Sequence, residues 1–265
     1  MDQPLVSVVT NNFRNALQAV KCVESFLQQS VAEKLEIIVV DNHSNDDSVG
    51  ILRARLQDFS NVHIVETPYN LGFGGGYNAG VRIATGKYLL INNPDKILEE
   101  TAVEKLVQKI EAEPDIGILA PKLVHPDGSI RTSARALPRP FDLVIKRTFL
   151  RSIFSARLRH YLQTDEDPDR TRDVDWVIGG SVFLRRDLYE ELGGFDDRFF
   201  LFFEDTDLCR RVAEKGKRIV YFPEVSGSDK KRRLSDGSMY SLFRTKIGRT
   251  HLASSMKYFA KWGIG

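Results

Sequence analysis

Through the first 120 residues, short β-branched runs alternate with stretches of helical spacing, and no other feature limits the fold as much. Residues 5–10 (LVSVVT), 35–40 (LEIIVV), 62–65 and 87–91 read as strands, and 16–29, 48–57 and 76–84 as the helices between them. In the first helix Leu17, Val20, Val23 and Leu27 fall on one face. A helix over 100–111 and a strand at 116–120 extend the rhythm. This order predicts an α/β fold with a mostly parallel central sheet and flanking helices. Ligands of such sheets bind beyond the carboxyl ends of the strands. The expected strand ends are Thr10-Asn11-Asn12, Asp41-Asn42-His43-Ser44 and Asn92-Asn93-Pro94-Asp95, all polar.

The rhythm breaks over 121–172, where Pro121, Pro126, Pro138, Pro140 and Pro168 leave no period. A hairpin near 122–131 and a helical or irregular insertion carrying Arg147, Arg151, Arg157 and Arg159 are expected there. Residues 174–184 read as one strand running through Gly179 and Gly180. A helix near 187–192, a turn at 193–196, a helix over 204–215 and a last strand, 218–222, stopped by Pro223, follow. Residues 238–262 are again helical in pattern. The chain thus divides into a domain, 1–225, with halves 1–120 and 121–225, and a C-terminal segment, 226–265.

That segment sets the charge balance. The chain carries a net +2, but 226–265 alone holds nine Lys/Arg against two Asp/Glu, which leaves −5 on the rest. A basic tail interleaved with Leu242, Phe243, Ile247, Leu252, Met256 and Phe259 suits an anionic lipid surface or a pyrophosphate. No nucleic-acid partner is expected. Cys22 and Cys209 have neither disulfide-framework nor zinc spacing, which fits a reducing compartment. With no leader pattern and no apolar run of about 18 residues, membrane contact is expected to be peripheral.

Four constellations can carry chemistry. Asp41 ends the run IIVVD, where its carboxylate either accepts a pyrimidine imide N–H or caps the turn into the next helix. The glycines of 70–80 (NLGFGGGYNAG) allow close backbone approach, and a helix starting nearby offers N–H groups to phosphate or ribose. Tyr77 stands where a dinucleotide fingerprint needs glycine, and the GK[ST] of a P-loop is missing. Asp95 can coordinate Mg²⁺ or Mn²⁺ bridging a diphosphate, although Asn-Pro-Asp is also a good turn. Finally, the apolar residues 199–203 deliver Glu204, Asp205 and Asp207 to a helix start. Carboxylates there either complement the helix dipole or, seated against aromatics with a raised pKa, serve as a general base.

In this order these pieces resemble glycosyltransferase family 2, and within it the bacterial rhamnosyltransferases of O-antigen and related cell-surface polysaccharide synthesis. The match runs through 6–10, Val39-Val40-Asp41-Asn42, 70–80, Asn93-Pro94-Asp95, 179–186, 193–196, 202–211 and 257–263. The resemblance implies a GT-A, Rossmann-like fold, with 1–120 the nucleotide-binding half, 121–225 the acceptor half and 226–265 a basic helical extension. It implies Thr10, Asp41, Asn70, Gly72 and Asn78 about the base and ribose, and Asn93 and Asp95 at a metal-bridged diphosphate. Glu204 and Asp205 match the catalytic pair, with Asp205 the base. Gly179 and Gly180 fall on the acceptor side, as does Trp176, which is either a stacking surface for a pyranose or a core residue.

The implied activity is inverting transfer from a nucleoside diphosphate sugar, assisted by Mg²⁺ or Mn²⁺. The donor implied first is dTDP-rhamnose, with UDP-galactofuranose and UDP-hexoses as alternatives. The acceptor is a hydroxyl of a polyprenyl-diphosphate-linked sugar or a polysaccharide, met by a cytoplasmic protein on the inner face of the cell membrane. Three features depart from the family pattern. Thr10-Asn11-Asn12 replaces T-Y-N, one carboxylate instead of two stands at 93–95, and no histidine follows the last strand in 225–233. There, either Asp229 replaces the metal ligand, or the basic run 230–233 neutralises the diphosphate directly. A sugar nucleotidyltransferase would need a glycine-rich loop with Arg and Lys after the first strand, which Thr10-Asn11-Asn12-Phe13-Arg14 does not supply. A non-catalytic nucleotide-sugar-binding protein is the other alternative.

Overall fold

The computed structural model describes residues 3–230 and 239–264. In chain order the first half gives β1 (Val6–Asn12), α1 (Ala16–Phe26), β2 (Leu35–Asp41), α2 (Ser48–Leu56), β3 (Val62–Glu66), α3 (Gly72–Val81), β4 (Tyr88–Asn92), β5 (Lys96–Leu98), α4 (Ala102–Ala112) and β6 (Ile116–Val124). The second gives β7 (Ala134–Arg135), α5 (Pro140–Arg147), α6 (Leu150–Ile153), α7 (Ser155–Leu162), β8 (Arg172–Asp173), β9 (Trp176–Val177), β10 (Ser181–Arg185) and α8 (Arg186–Glu191). It closes with α9 (Glu204–Glu214), β11 (Arg218–Asp229), α10 (Met239–Arg244) and α11 (Lys246–Trp262).

The main sheet runs β3-β2-β1-β4-β10-β6-β11-β5, with β8 paired to β11. Strands β3, β2, β1 and β4 are parallel, with β1, β2 and β4 almost wholly buried, as strands covered by helices on both faces are, and β3 half-exposed at the edge. Beyond them β10 lies antiparallel between β4 and β6, and β5 lies antiparallel to β11. One core holds α1, α2 and α4 against one face of the sheet, and a second holds α3, α8 and α9 against the other. In the second core α3 sits close to the sheet, because a Cβ on Gly80 would meet Val9 Cγ1 at 2.5 Å and Val40 Cγ2 at 2.8 Å.

Several elements differ from the sequence expectation. Helix α1 buries Ala16, Ala19, Val20, Cys22, Val23 and Phe26, and leaves Leu17 60% exposed, so its stripe is rotated from the expected one. The glycine-rich run is not a loop before a helix; it forms most of α3 itself. The strand expected over 174–184 breaks at Gly179 and Gly180, so that β9 pairs with β7 in a separate ribbon while β10 enters the main sheet. Strand β11 does not stop at Pro223; it runs to Asp229, past the expected 225/226 boundary. The β6 ladder shifts register between Phe222 and Ser226, so the proline sits where no ladder N–H is needed.

The insertion folds as α5 to α7, tied down by Arg157 to Asp142 at 2.6 Å and by Arg135 Nη1 to the Leu162 carbonyl at 3.0 Å. The tail is two helices, not one: Thr245 accepts the Gly248 N–H at 2.9 Å and starts α11 afresh. Phe199, Phe203 and Tyr258 form a third, small core with Leu143, Phe202, Phe259 and Trp262, which docks α11 and α5 onto the segment before α9.

Candidate active site

The strand ends converge as expected, but many of their side chains are engaged with one another. Asp41 accepts from Asn12 Nδ2 at 2.7 Å, from Ser44 Oγ at 2.5 Å and from the Ser44 N–H at 3.0 Å, which makes it the cap of its own turn. Thr10 is wholly buried on the face of β1 that meets Cys22, whose thiol burial pushes up to about 12. Asn42 is the clasp of the site: it donates to the Gly72 carbonyl at 2.7 Å and accepts the Leu71 N–H at 2.8 Å. Its position directly after Asp41 was the available signal.

Asn70 accepts the Gly72 N–H at 2.9 Å and so shapes the entry to α3. Gly72 has φ +78°, and a side chain there would collide with the Phe200 carbonyl. The N–H groups at this helix start are not open to a ligand, since Phe73 donates its own to Phe200 at 2.8 Å. Asn78 is likewise occupied, donating to the Phe195 carbonyl at 2.8 Å and Asp197 at 3.0 Å while accepting from Tyr189 at 2.6 Å. Its role in this geometry is to pin the 193–197 turn to α3. Trp176 is a core residue and not a stacking platform: it is 8% exposed, and its indole donates to the Ala136 carbonyl at 2.8 Å.

The start of α9 is strained. Phe202 and Phe203 both take positive φ, +71° and +70°, a conformation that costs a non-glycine residue about 1–3 kcal/mol. That turn delivers Glu204 and Asp205. Glu204 is 4% exposed, its Oε2 has no hydrogen-bond partner among the described residues, and burial, then the neighbouring Asp205, hold its carboxyl well above the usual range. Asp205 keeps part of its surface open. Burial raises its pKa, opposed by N–H donation from Gly179 at 3.0 Å and Thr206 at 2.7 Å. The residue after Gly179 accepts the Asn93 N–H through its carbonyl at 2.8 Å. Two consecutive glycines thus join the Asp205 carboxylate to the 93–95 turn. They also make room: a Cβ on Gly179 would lie 3.3 Å from Asp205 Cβ, and one on Gly180 would lie 3.0 Å from Lys96 Cε.

Asn93 accepts from Tyr77 at 2.7 Å, and Asp95 is 27% exposed at the mouth of the turn. Asp95 and Asp229 do come together, but across an ammonium: Lys96 Nζ lies 2.7 Å from Asp95 Oδ2 and pairs with Asp229 Oδ1. Arg131 takes the other Asp229 oxygen, and His125 Nδ1 lies 3.2 Å from the Asp229 carbonyl. The expectation that Asp229 ligates a metal is therefore corrected. Both its oxygens are neutralised by cations, and among the described residues no group of three His, Cys, Asp or Glu side chains could hold an ion. A divalent ion about 4 Å from the Lys96 ammonium would be repelled by on the order of 8 kcal/mol at an effective dielectric of about 20. The pair does not fit a metal. Of the basic run 230–233, Lys230 is described and bonds Gln18, while 231–233 lie outside the described residues.

A family model described as glycosyl transferase family 2 matches residues 7–193. The chain belongs to that family. This transferase is 27% identical over 214 residues to the N-acetylglucosaminyl-diphospho-decaprenol L-rhamnosyltransferase of Mycobacterium tuberculosis, covering 75% of this chain and 67% of that one. Among solved structures it resembles the mannosyltransferase PcManGT from Pyrobaculum calidifontis in complex with GDP-Man and Mn²⁺, with a TM-score of 0.63 and 20% identity over 96% of this chain. It also resembles GalNAc-T7 with UDP, GalNAc and Mn²⁺, with a TM-score of 0.69 and 15% identity over 98% of this chain. The transferase spans 65% and 49% of those two solved chains, and the likeness establishes its fold as GT-A. No described helix is long and apolar enough to cross a membrane.

Proposed function

We propose that this glycosyltransferase moves a deoxyhexose or hexose, first among them rhamnose from dTDP-rhamnose, to an acceptor hydroxyl with inversion. The observation that carries the reading is the partly open Asp205 carboxylate, held by Gly179, next to the 93–95 turn held by Gly180. Asp205 takes the proton of the acceptor hydroxyl as that oxygen bonds to the anomeric carbon, while the bond to the diphosphate breaks and its oxygen leaves with the electron pair. Asp41 Oδ2, with a single donor, keeps a lone pair for the imide N–H of a pyrimidine base. A thermal-shift panel of dTDP-rhamnose, UDP-galactofuranose, UDP-glucose and GDP-mannose tests the donor. The largest rise in melting point is expected with dTDP-rhamnose, since ligands that bind the native state stabilise it by mass action. A panel led by another sugar replaces the donor, and a flat panel defeats the reading.

We read the acceptor as polyprenyl-diphosphate-linked, met by a cytoplasmic protein peripheral to the inner face of the membrane. A cavity of about 390 Å³ lined by Arg139, Arg157 and Arg210 against Asp142 and Asp175 keeps an excess of positive charge, which supports an anionic acceptor group. The insertion and tail, neighbours through Leu143, leave Phe149 77%, Ile153 65% and Phe243 61% exposed, as an interfacial surface would. Phe149→Ser with Phe243→Ser is expected to release the protein from anionic phospholipid vesicles in a pelleting assay. Undiminished pelleting of the double variant ends the membrane part of the proposal.

A further inference from the structure

Two features of the sequence around the 93–95 turn and the end of β11 meet in one contact. A lysine follows Asn-Pro-Asp, an aspartate stands in the segment where a histidine is usual, and Lys96 Nζ pairs with both Asp95, at 2.7 Å, and Asp229. The ammonium is 3% exposed and lies between the two carboxylates that would otherwise hold a divalent ion. Gly180 leaves room for its stem. Arg131 backs Asp229 from the other side, its side chain 10% exposed. At the end of β11, Lys230 bonds Gln18, whose amide in turn donates to the Pro94 carbonyl at 3.1 Å, so a second ammonium reaches the same turn. Lys96, Arg131 and Lys230 against Asp95 and Asp229 leave an excess of one positive charge. Two of the three ammonium donors of Lys96 are held by these carboxylates, of which Asp95, 27% exposed, is the more open.

We propose that Lys96 stands in for the divalent cation: the fixed charges of Lys96, Arg131 and Lys230 meet the donor's diphosphate, and sugar transfer proceeds without metal. The inference rests on the glycosyltransferase reading of this site. As the anomeric carbon–oxygen bond breaks, the charge developing on the departing diphosphate oxygen is stabilised by ammonium and guanidinium groups already in place.

Isothermal titration of the full chain with UDP, dTDP and GDP, in EDTA and again in excess Mn²⁺, separates the possibilities. The tightest of the three is expected to bind with Kd values within about threefold of each other in the two conditions. Lys96→Met is expected to lose about tenfold or more in affinity in EDTA, and Lys96→Arg, which keeps a cation, to retain binding. The Lys96→Arg variant and the unmodified chain keep the test readable if Lys96→Met does not fold. Wild-type affinity that collapses in EDTA and returns with Mn²⁺ overturns the proposal and leaves the glycosyltransferase reading intact. Absence of binding to all three nucleotides in both conditions removes that reading, and this inference with it.

Discussion

Asp205→Asn is expected to lower turnover by about 10²–10⁴-fold while donor affinity stays within about twofold, because a general base, the role proposed for Asp205, contributes in that range and does not hold the nucleotide. Each Asp205 oxygen accepts backbone N–H, from Gly179 at 3.0 Å and from Thr206 at 2.7 Å, so the carboxylate is aimed by main chain. The asparagine keeps one acceptor and the shape but cannot take a proton. The sign of the pH response follows from burial. A raised carboxyl pKa keeps Asp205 protonated further up the scale, so kcat/KM is expected to climb with pH through a value above the ordinary carboxylate pKa of about 3.9. Stability runs the other way. The unfolded chain releases this proton more readily than the folded one, so the group erodes stability as pH rises from the ordinary value toward the raised one. Asp205→Asn removes that penalty and should melt no lower than the parent at pH 8. Equal turnover in parent and variant would defeat the assignment, and a lost donor affinity would move Asp205 from catalysis to binding.

The second large effect lies two residues along the same helix. Asp207 is completely buried and accepts from Arg211 Nε at 2.8 Å, Lys261 Nζ at 2.6 Å and Trp262 Nε1 at 2.8 Å. Arg211 also reaches the Leu192 and Gly194 carbonyls, each at 2.8 Å, and Lys261 reaches Asp196 at 2.9 Å. Asp207→Ala strands two partly buried cations and an indole donor, a loss that costs about 3–5 kcal/mol where one partner of a buried pair is removed. For a chain of this length that corresponds to a fall in Tm of roughly 10 °C. The fluorescence of Trp262 should shift red as the end of α11 loosens, with Trp176 as the only other indole. A Tm within about 2 °C of the parent would show that the latch carries little.

The first half was legible because its strands are buried on both faces and announce themselves as apolar runs, while polar strand ends mark the ligand side. That residues 199–203 deliver Glu204 and Asp205 to a helix start was legible from their aromatic run. What the sequence could not display is which polar groups use each other. Asp41, Asn70 and Asn78 carry ligand-binding side chains, yet each is engaged by a partner up to 119 positions away, as Asn78 is with Asp197. Trp176 reads equally as platform or core until the Ala136 carbonyl is found against its indole. Lys96 was passed over because its meaning depends on Asp229, 133 residues later. Glycine in 72–80 signalled ligand approach; in the fold much of it serves the contact between a helix and a sheet.

The position of β10 bears on how the chain is made. Residues 181–185 lie between β4 and β6, so the opening βα units emerge from the ribosome with the flank of β4 uncapped, and β6 meets them only when β10 arrives. For the span from 93 to 180 the nascent protein carries an unpaired apolar border of the kind that invites wrong neighbours. Closure of that border seats Gly179 beside Asp205 and Gly180 beside Lys96. Assembly of the sheet and assembly of the chemistry are thus one late event.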